Sequence, residues 1–127
     1  MKKDISTPTD VKFLVDSFYN EVRNDDCIGY IFNDVANVDW DDHLPKMYMF
    51  WEFALLGTAA YKGNPMMKHI ALNAKESLTE THFERWVELW EATIDRFYEG
   101  EIALKAKERG QLMKTVMLVK MNQINNR

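Results

Sequence analysis

Two histidines, His43 and His69, stand 26 residues apart, each in a stretch crowded with aromatics and methionines. His43 opens His-Leu-Pro-Lys-Met-Tyr-Met-Phe-Trp at 43–51, and His69 closes Gly-Asn-Pro-Met-Met-Lys-His at 63–69. An imidazole in an apolar setting is a good ligand for iron, zinc or copper. With Cys27 as the lone cysteine, the pair points away from a structural zinc site and toward a cofactor in an apolar pocket. His69 follows Asn64-Pro65, a cap and a favoured first helical residue, so a short, rigidly started helix would aim its ring at one point. The plainer role for His69 is a satisfied core or surface histidine. His43 has acidic neighbours in Asp39, Asp41 and Asp42, which suit either a surface histidine at a helix start or a gate above a cofactor.

Tyr19 and Trp86 are polar-tipped aromatics on apolar stripes. When buried, their O–H and N–H groups need partners, either a backbone carbonyl or a ligand atom. His82 falls off its stripe and reads as a surface residue. Asp25-Asp26 and Asp41-Asp42 read as solvated turns rather than catalytic pairs. No Gly-rich phosphate loop, zinc-ligand spacing or Gly-x-Ser-x-Gly motif is present.

These side chains would be positioned by helices, since strand signals are nearly absent. A first helix is predicted from Thr9 or Asp10, with Val11, Leu14, Val15, Phe18, Tyr19 and Val22 at helical spacing. Gly29-Tyr30-Ile31-Phe32 reads as an apolar connector with room for one tight turn, and 33–39 as a loop. A second helix runs over 41–56, with Pro45 in or near its first turn, His43 at its start and Gly57 as its stop. A short helix over 65–71 carries His69. A third long helix is capped by Ser77 or Thr81 and carries Phe83, Trp86, Val87, Trp90, Ile94 and Phe97 as its stripe. Gly100 ends it. The last helix covers about 101–121, with Ile102, Ala106, Leu112, Met113, Val116 and Met117 expected inward.

The chain has 127 residues, the length of a single domain, with residues 1–8 and 122–127 expected as flexible ends. A net charge of −4 and the lack of a basic run argue against nucleic acid. The longest apolar run is too short for a bilayer, and the lysines at the start have no apolar segment behind them, so no membrane or secretory role is expected. The cytoplasm is the default compartment. Aromatics at 13% and eight methionines fit a well-filled core or a pocket for a large flat apolar ligand.

Taken together, these stretches resemble the third group of truncated haemoglobins, a bacterial globin-like family. The resemblance rests on Phe18-Tyr19, Gly29-Tyr-Ile-Phe32, His43-Leu-Pro-Lys-Met47, Phe50-Trp51, Leu55, Gly57, Tyr61-Lys-Gly63-Asn-Pro65 and His69. It continues through Leu78-Thr79, His82-Phe83, Arg85-Trp86, Leu89, Thr93 and Ala106-Lys-Glu-Arg109, so it covers roughly residues 10–118. It implies an all-α truncated globin fold, a two-over-two helical sandwich around haem b. It also implies His69 as the proximal iron ligand, Tyr19, His43 and Trp86 as distal groups, and Phe32, Met47 and Trp51 as haem-lining positions. Two positions depart from the family pattern: Gly110 stands where Ala is usual, and Ser77 where Pro is common.

The function so implied is reversible binding of oxygen, carbon monoxide or nitric oxide. An enzymatic alternative, nitric oxide dioxygenation or peroxide reduction at the same haem, would need a separate reductase. A helical interaction module without haem is the third possibility. A monomer or weak dimer is expected.

Overall fold

The computed structural model describes residues 2–35, 39–57 and 79–125. His69, the short helix expected around it, Tyr61 and Ser77 lie outside the described residues. Four long helices dominate: α1 (Pro8–Arg23), α2 (Trp40–Leu56), α3 (Glu80–Phe97) and α4 (Glu101–Asn125). No strand occurs among the described residues. Helix α1 packs on α2, α3 packs on α4, and the two pairs are joined through α1–α3 and α2–α4 contacts.

Helix α1 starts two residues earlier than its apolar spacing predicts, because Thr7 is the cap and Pro8 the first helical residue. The Asp10 N–H donates to Thr7 Oγ1 at 3.1 Å and the Thr7 N–H returns to Asp10 Oδ2 at 3.1 Å. This is a capping box closed by aspartate. The predicted stripe holds: Val11, Leu14, Val15, Phe18, Tyr19 and Val22 are all buried. Helix α2 is capped by Asp39 and stopped by Gly57 at φ 69°, a left-handed position that suits glycine. Pro45 lies in its second turn, where its missing N–H leaves the carbonyl of exposed Asp41 to water.

The residues ahead of α1, read from the sequence as a flexible end, make specific contacts. Ile5 is buried, and the Glu99 N–H donates to the Lys3 carbonyl at 3.0 Å. The Asp4 carboxylate accepts from the N–H groups of Ile102 at 2.9 Å and Ala103 at 2.8 Å, capping α4 from the far end of the chain. Gly100 sits beside it at φ 136°, and a Cβ there would come within 2.5 Å of the Asp4 carboxyl.

Asp25 is a second buried carboxylate, with only 6% of its side chain exposed. It caps the turn after α1 through the Cys27 and Ile28 amides and pairs with Arg85 of α3 at 2.7 Å. This corrects the sequence reading of Asp25-Asp26 as a solvated turn: the arginine that buries Asp25 is 60 residues away.

Trp90 joins all four helices. Its ring stacks on Trp51 of α2 at 4.3 Å, meets Phe18 of α1 edge-on at 5.0 Å, and lies parallel to Trp86 of its own helix at 6.5 Å. Its Nε1–H donates to the Ala106 carbonyl of α4 at 2.9 Å. Helix α4 admits this indole with its smallest residues: Ala103, Ala106 and Gly110 are buried, and a Cβ on Gly110 would lie 2.6 Å from Trp90 Cδ1. Leu112 and Val116, expected inward, are instead 53% and 46% exposed.

Gly110→Ala would ordinarily stabilise a helix interior by up to about 1 kcal/mol. Here the methyl must displace the Trp90 indole, and we expect a net loss of about 1–3 kcal/mol, read from denaturant unfolding. A stabilised variant would show that the indole is not held in place.

The carboxyls of Asp4, Asp10 and Asp25 are all held below the usual carboxylate range. Burial alone would raise each of them, but hydrogen bonds and nearby cations outweigh it: the α4 amides at Asp4, Lys3 with the Ser6 and Thr7 groups at Asp10, and Arg85 with the Ile28 and Cys27 amides at Asp25. A depressed folded pKa gives stability that is present above the ordinary carboxylate pKa and lost as pH falls through the folded value. Melting temperature should therefore fall progressively as pH drops below about 5 and keep falling below about 3, and Asp10→Asn should flatten that fall. A melting temperature that stays level to acid would contradict these assignments.

Candidate functional site

The candidate site forms where α1, a π-helical turn and the start of α2 meet. Helix α1 brings Tyr19, which is 5% exposed. The turn over Ile31–Val35 is wider than the tight turn expected from sequence, and it delivers Phe32. Such wide turns concentrate at functional sites. Helix α2 presents Trp40, His43 and Met47, spaced three and four apart and so on one face. The His43 N–H donates to the Asp39 carbonyl at 2.8 Å, which fixes the backbone that carries the imidazole.

Tyr19 is the common neighbour. Its ring meets His43 edge-on at 5.2 Å, Trp40 at 5.4 Å and Phe32 at 6.2 Å. Trp86 joins one ring further on, because Phe18 touches both Tyr19 at 4.8 Å and Trp86 at 5.6 Å. His43 Nε2 is buried, and the residue as a whole is only partly exposed. Met47 and Phe32 are half-buried against the same core. Trp51 is almost fully buried and stacked on Trp90, so it backs the site from within the core. Of the residues singled out from sequence, Tyr19, Phe32 and His43 share one ring cluster. Trp86 and Trp51 reach it through Phe18 and Trp90, and His69 lies outside the described residues.

A latch near the site ties α1 to α2. The Tyr48 hydroxyl donates to the Asp16 carboxylate, with Lys12 5.6 Å over the Tyr48 ring. Burial and the adjoining Asp16 push the Tyr48 phenol up to about 12, so it remains a donor at any ordinary pH.

Three contributors were missed in the sequence. Trp40 fell next to a stretch read as loop, although its three-residue spacing to His43 was visible. Arg23 lies 4.8 Å over the Trp40 ring from the end of α1. His82, read as a surface residue, is half-buried and helps start α3: its Nδ1 accepts from the Thr79 N–H at 3.2 Å, and its Nε2 faces the Tyr30 hydroxyl at 3.3 Å. Thr79, not Ser77 or Thr81, is therefore the α3 cap.

Among the described residues, no three histidine, cysteine, aspartate or glutamate side chains gather to hold a metal ion. A ring of aromatic walls carrying phenol, imidazole and indole donors instead suits a flat apolar group whose metal is held mostly by the group itself. The family model of bacterial-like globins matches residues 4–123. The chain belongs to this globin family.

This globin is 30% identical over 116 residues to the group 3 truncated haemoglobin of Campylobacter jejuni, covering 89% of each chain. Its fold is similar to a crystal structure of a group III truncated haemoglobin from the same organism, with a TM-score of 0.81, 28% identity and 95% of each chain covered. The two-over-two helix packing is thus that of a truncated globin. Membership implies haem as the cofactor and a diatomic gas as the ligand. The donor set around Tyr19 fits that cofactor. Among the described residues, no helix is long and apolar enough to cross a membrane.

Proposed function

We propose that this globin holds haem b with His69 as the axial iron ligand. In this reading it binds oxygen and other diatomic gases reversibly on a distal side built from Tyr19, His43 and Trp86. The observation that carries it is the edge-on pair of Tyr19 and His43 at 5.2 Å, walled by Phe32 and Trp40. Haem, when bound, supplies the iron that takes a gas molecule. The chain supplies the donors and walls that tune how tightly each gas is held.

A diatomic ligand drawing negative charge onto its outer atom is an acceptor. The Tyr19 hydroxyl and the Trp86 indole N–H are donors carried by α1 and α3, and each such bond in a dry site is worth about 1–3 kcal/mol. About 1.4 kcal/mol is tenfold in residence, so two donors turn a brief visitor into a held ligand. His43 stands at the start of α2, partly exposed with its Nε2 buried, where a side chain can swing between the site and solvent. That suits a gate. Phe32, Met47 and Trp51 supply apolar wall, which excludes water and strengthens the donors' effect.

With haem bound, Tyr19→Phe should speed oxygen dissociation about tenfold or more, measured by stopped-flow displacement with carbon monoxide. An unchanged rate would remove Tyr19 from the distal set. His69→Ala should lose haem or bind it loosely. A variant that keeps an ordinary five-coordinate ferrous spectrum would mean that another residue is the axial ligand.

A further inference from the structure

Resting on the haem reading above, we propose that Trp40, clamped by Arg23, is a positioning residue for the His43 gate and sets how far that imidazole can swing.

Trp40 and His43 are three residues apart on the first turns of α2, so their side chains lie on one face. The Asp39 cap fixes the backbone of this first turn. Asp39 accepts from the Asp41 amide through its carboxylate at 3.1 Å and from the His43 amide through its carbonyl at 2.8 Å. The Trp40 ring meets His43 at 5.6 Å and 81°, edge to face. It also meets Tyr19 at 5.4 Å and lies near-parallel to Phe32 at 6.3 Å. His43, Tyr19 and Trp40 therefore form a triangle of rings in which the imidazole rests against both the phenol and the indole. Swinging the imidazole away from Tyr19 changes or gives up its edge contact with the indole.

The indole is itself held. The Arg23 guanidinium stacks 4.8 Å over it, and the Arg23 carbonyl accepts from Asn33 Nδ2 at 3.0 Å. One residue at the end of α1 thus grips both the π-turn and the start of α2. Arg23 is exposed, so this clamp sits at the solvent side of the triangle. A cation over an indole face is the favoured pairing for such a contact.

Trp40 meets Tyr19 and His43 through ring contacts. An effect carried by His43 is separated from one carried by Tyr19, Phe32 or direct contact in a double-mutant cycle. In the haem-loaded protein, Trp40→Ala should change carbon monoxide association, followed by flash photolysis, by about two- to tenfold, the range that loss of one ring pair allows. Trp40→Phe should restore most of the wild-type rate, and Arg23→Gln should shift it in the same direction by less. In a His43→Ala background the Trp40 substitution should have no further effect. An equal effect in both backgrounds would overturn the proposal, as would a Trp40→Ala rate equal to wild type.

A second readout does not need haem. The His43 ring protons should carry ring-current shifts from Trp40, seen by NMR in the unloaded protein and abolished in both Trp40→Ala and Trp40→Leu. Unmoved His43 resonances would show that Trp40 does not hold the ring, even if the protein took up haem normally. A protein that binds no haem but shows these shifts would sink the haem reading and leave the positioning intact.

Discussion

The contact between the Trp90 indole and Gly110 is the constraint on which the rest of this fold depends. The indole fills the centre of the helix sandwich, touching Phe18, Trp51 and Trp86 while donating to the Ala106 carbonyl. A side chain of that size at a four-helix crossing forces the facing helix to be nearly bare. Ala103, Ala106 and Gly110 make α4 bare along that line. Trp86 and Phe18, which form the inner edge of the candidate site, are both seated on Trp90. The site's depth is therefore set by core packing rather than by any loop.

Around that centre the polar groups work at the seams. Asp4 caps α4 from the start of the chain, Asp25 joins the α1 turn to Arg85 on α3, and Tyr48 latches α2 to Asp16 on α1. Asp4 and Asp25 satisfy backbone amides at a helix start and a turn, while Tyr48 and Asp16 join two helices side chain to side chain. The candidate site occupies a seam closed by rings instead: Tyr19, Phe32, Trp40 and His43. A seam of aromatic edges with hydroxyl, imidazole and indole groups can admit a flat ligand in a way that an ion-paired seam cannot.

Much of this was legible in the residues. The stripes of α1 and α3 follow from three- and four-residue spacing, and Gly57 marks a real end, whereas α3 stops earlier than expected, at Phe97 with Tyr98 as its cap, and Gly100 stands at the start of α4. The resemblance carried by His43-Leu-Pro-Lys-Met47 and Phe18-Tyr19 led to the same family that the comparisons establish. What escaped was tertiary in origin. Leu112 and Val116 look inward by hydrophobicity, but the buried face of α4 is chosen by the volume of Trp90 and so falls on small residues. Asp4 and Asp25 look like solvated acids because their partners lie 98 and 60 residues away. Trp40 was missed because Pro45 and the acidic run suggested a later helix start, whereas the Asp39 cap places the indole inside the first turn. No local pattern distinguishes a π-turn at Ile31–Val35 from an ordinary connector.

The most direct test of the account is an absorption titration of the purified protein with haem, followed by reduction and exposure to carbon monoxide. The account predicts saturation at one haem per chain, a five-coordinate ferrous spectrum and a sharp Soret shift on adding the gas. A spectrum that stays that of free haem throughout the titration would contradict it.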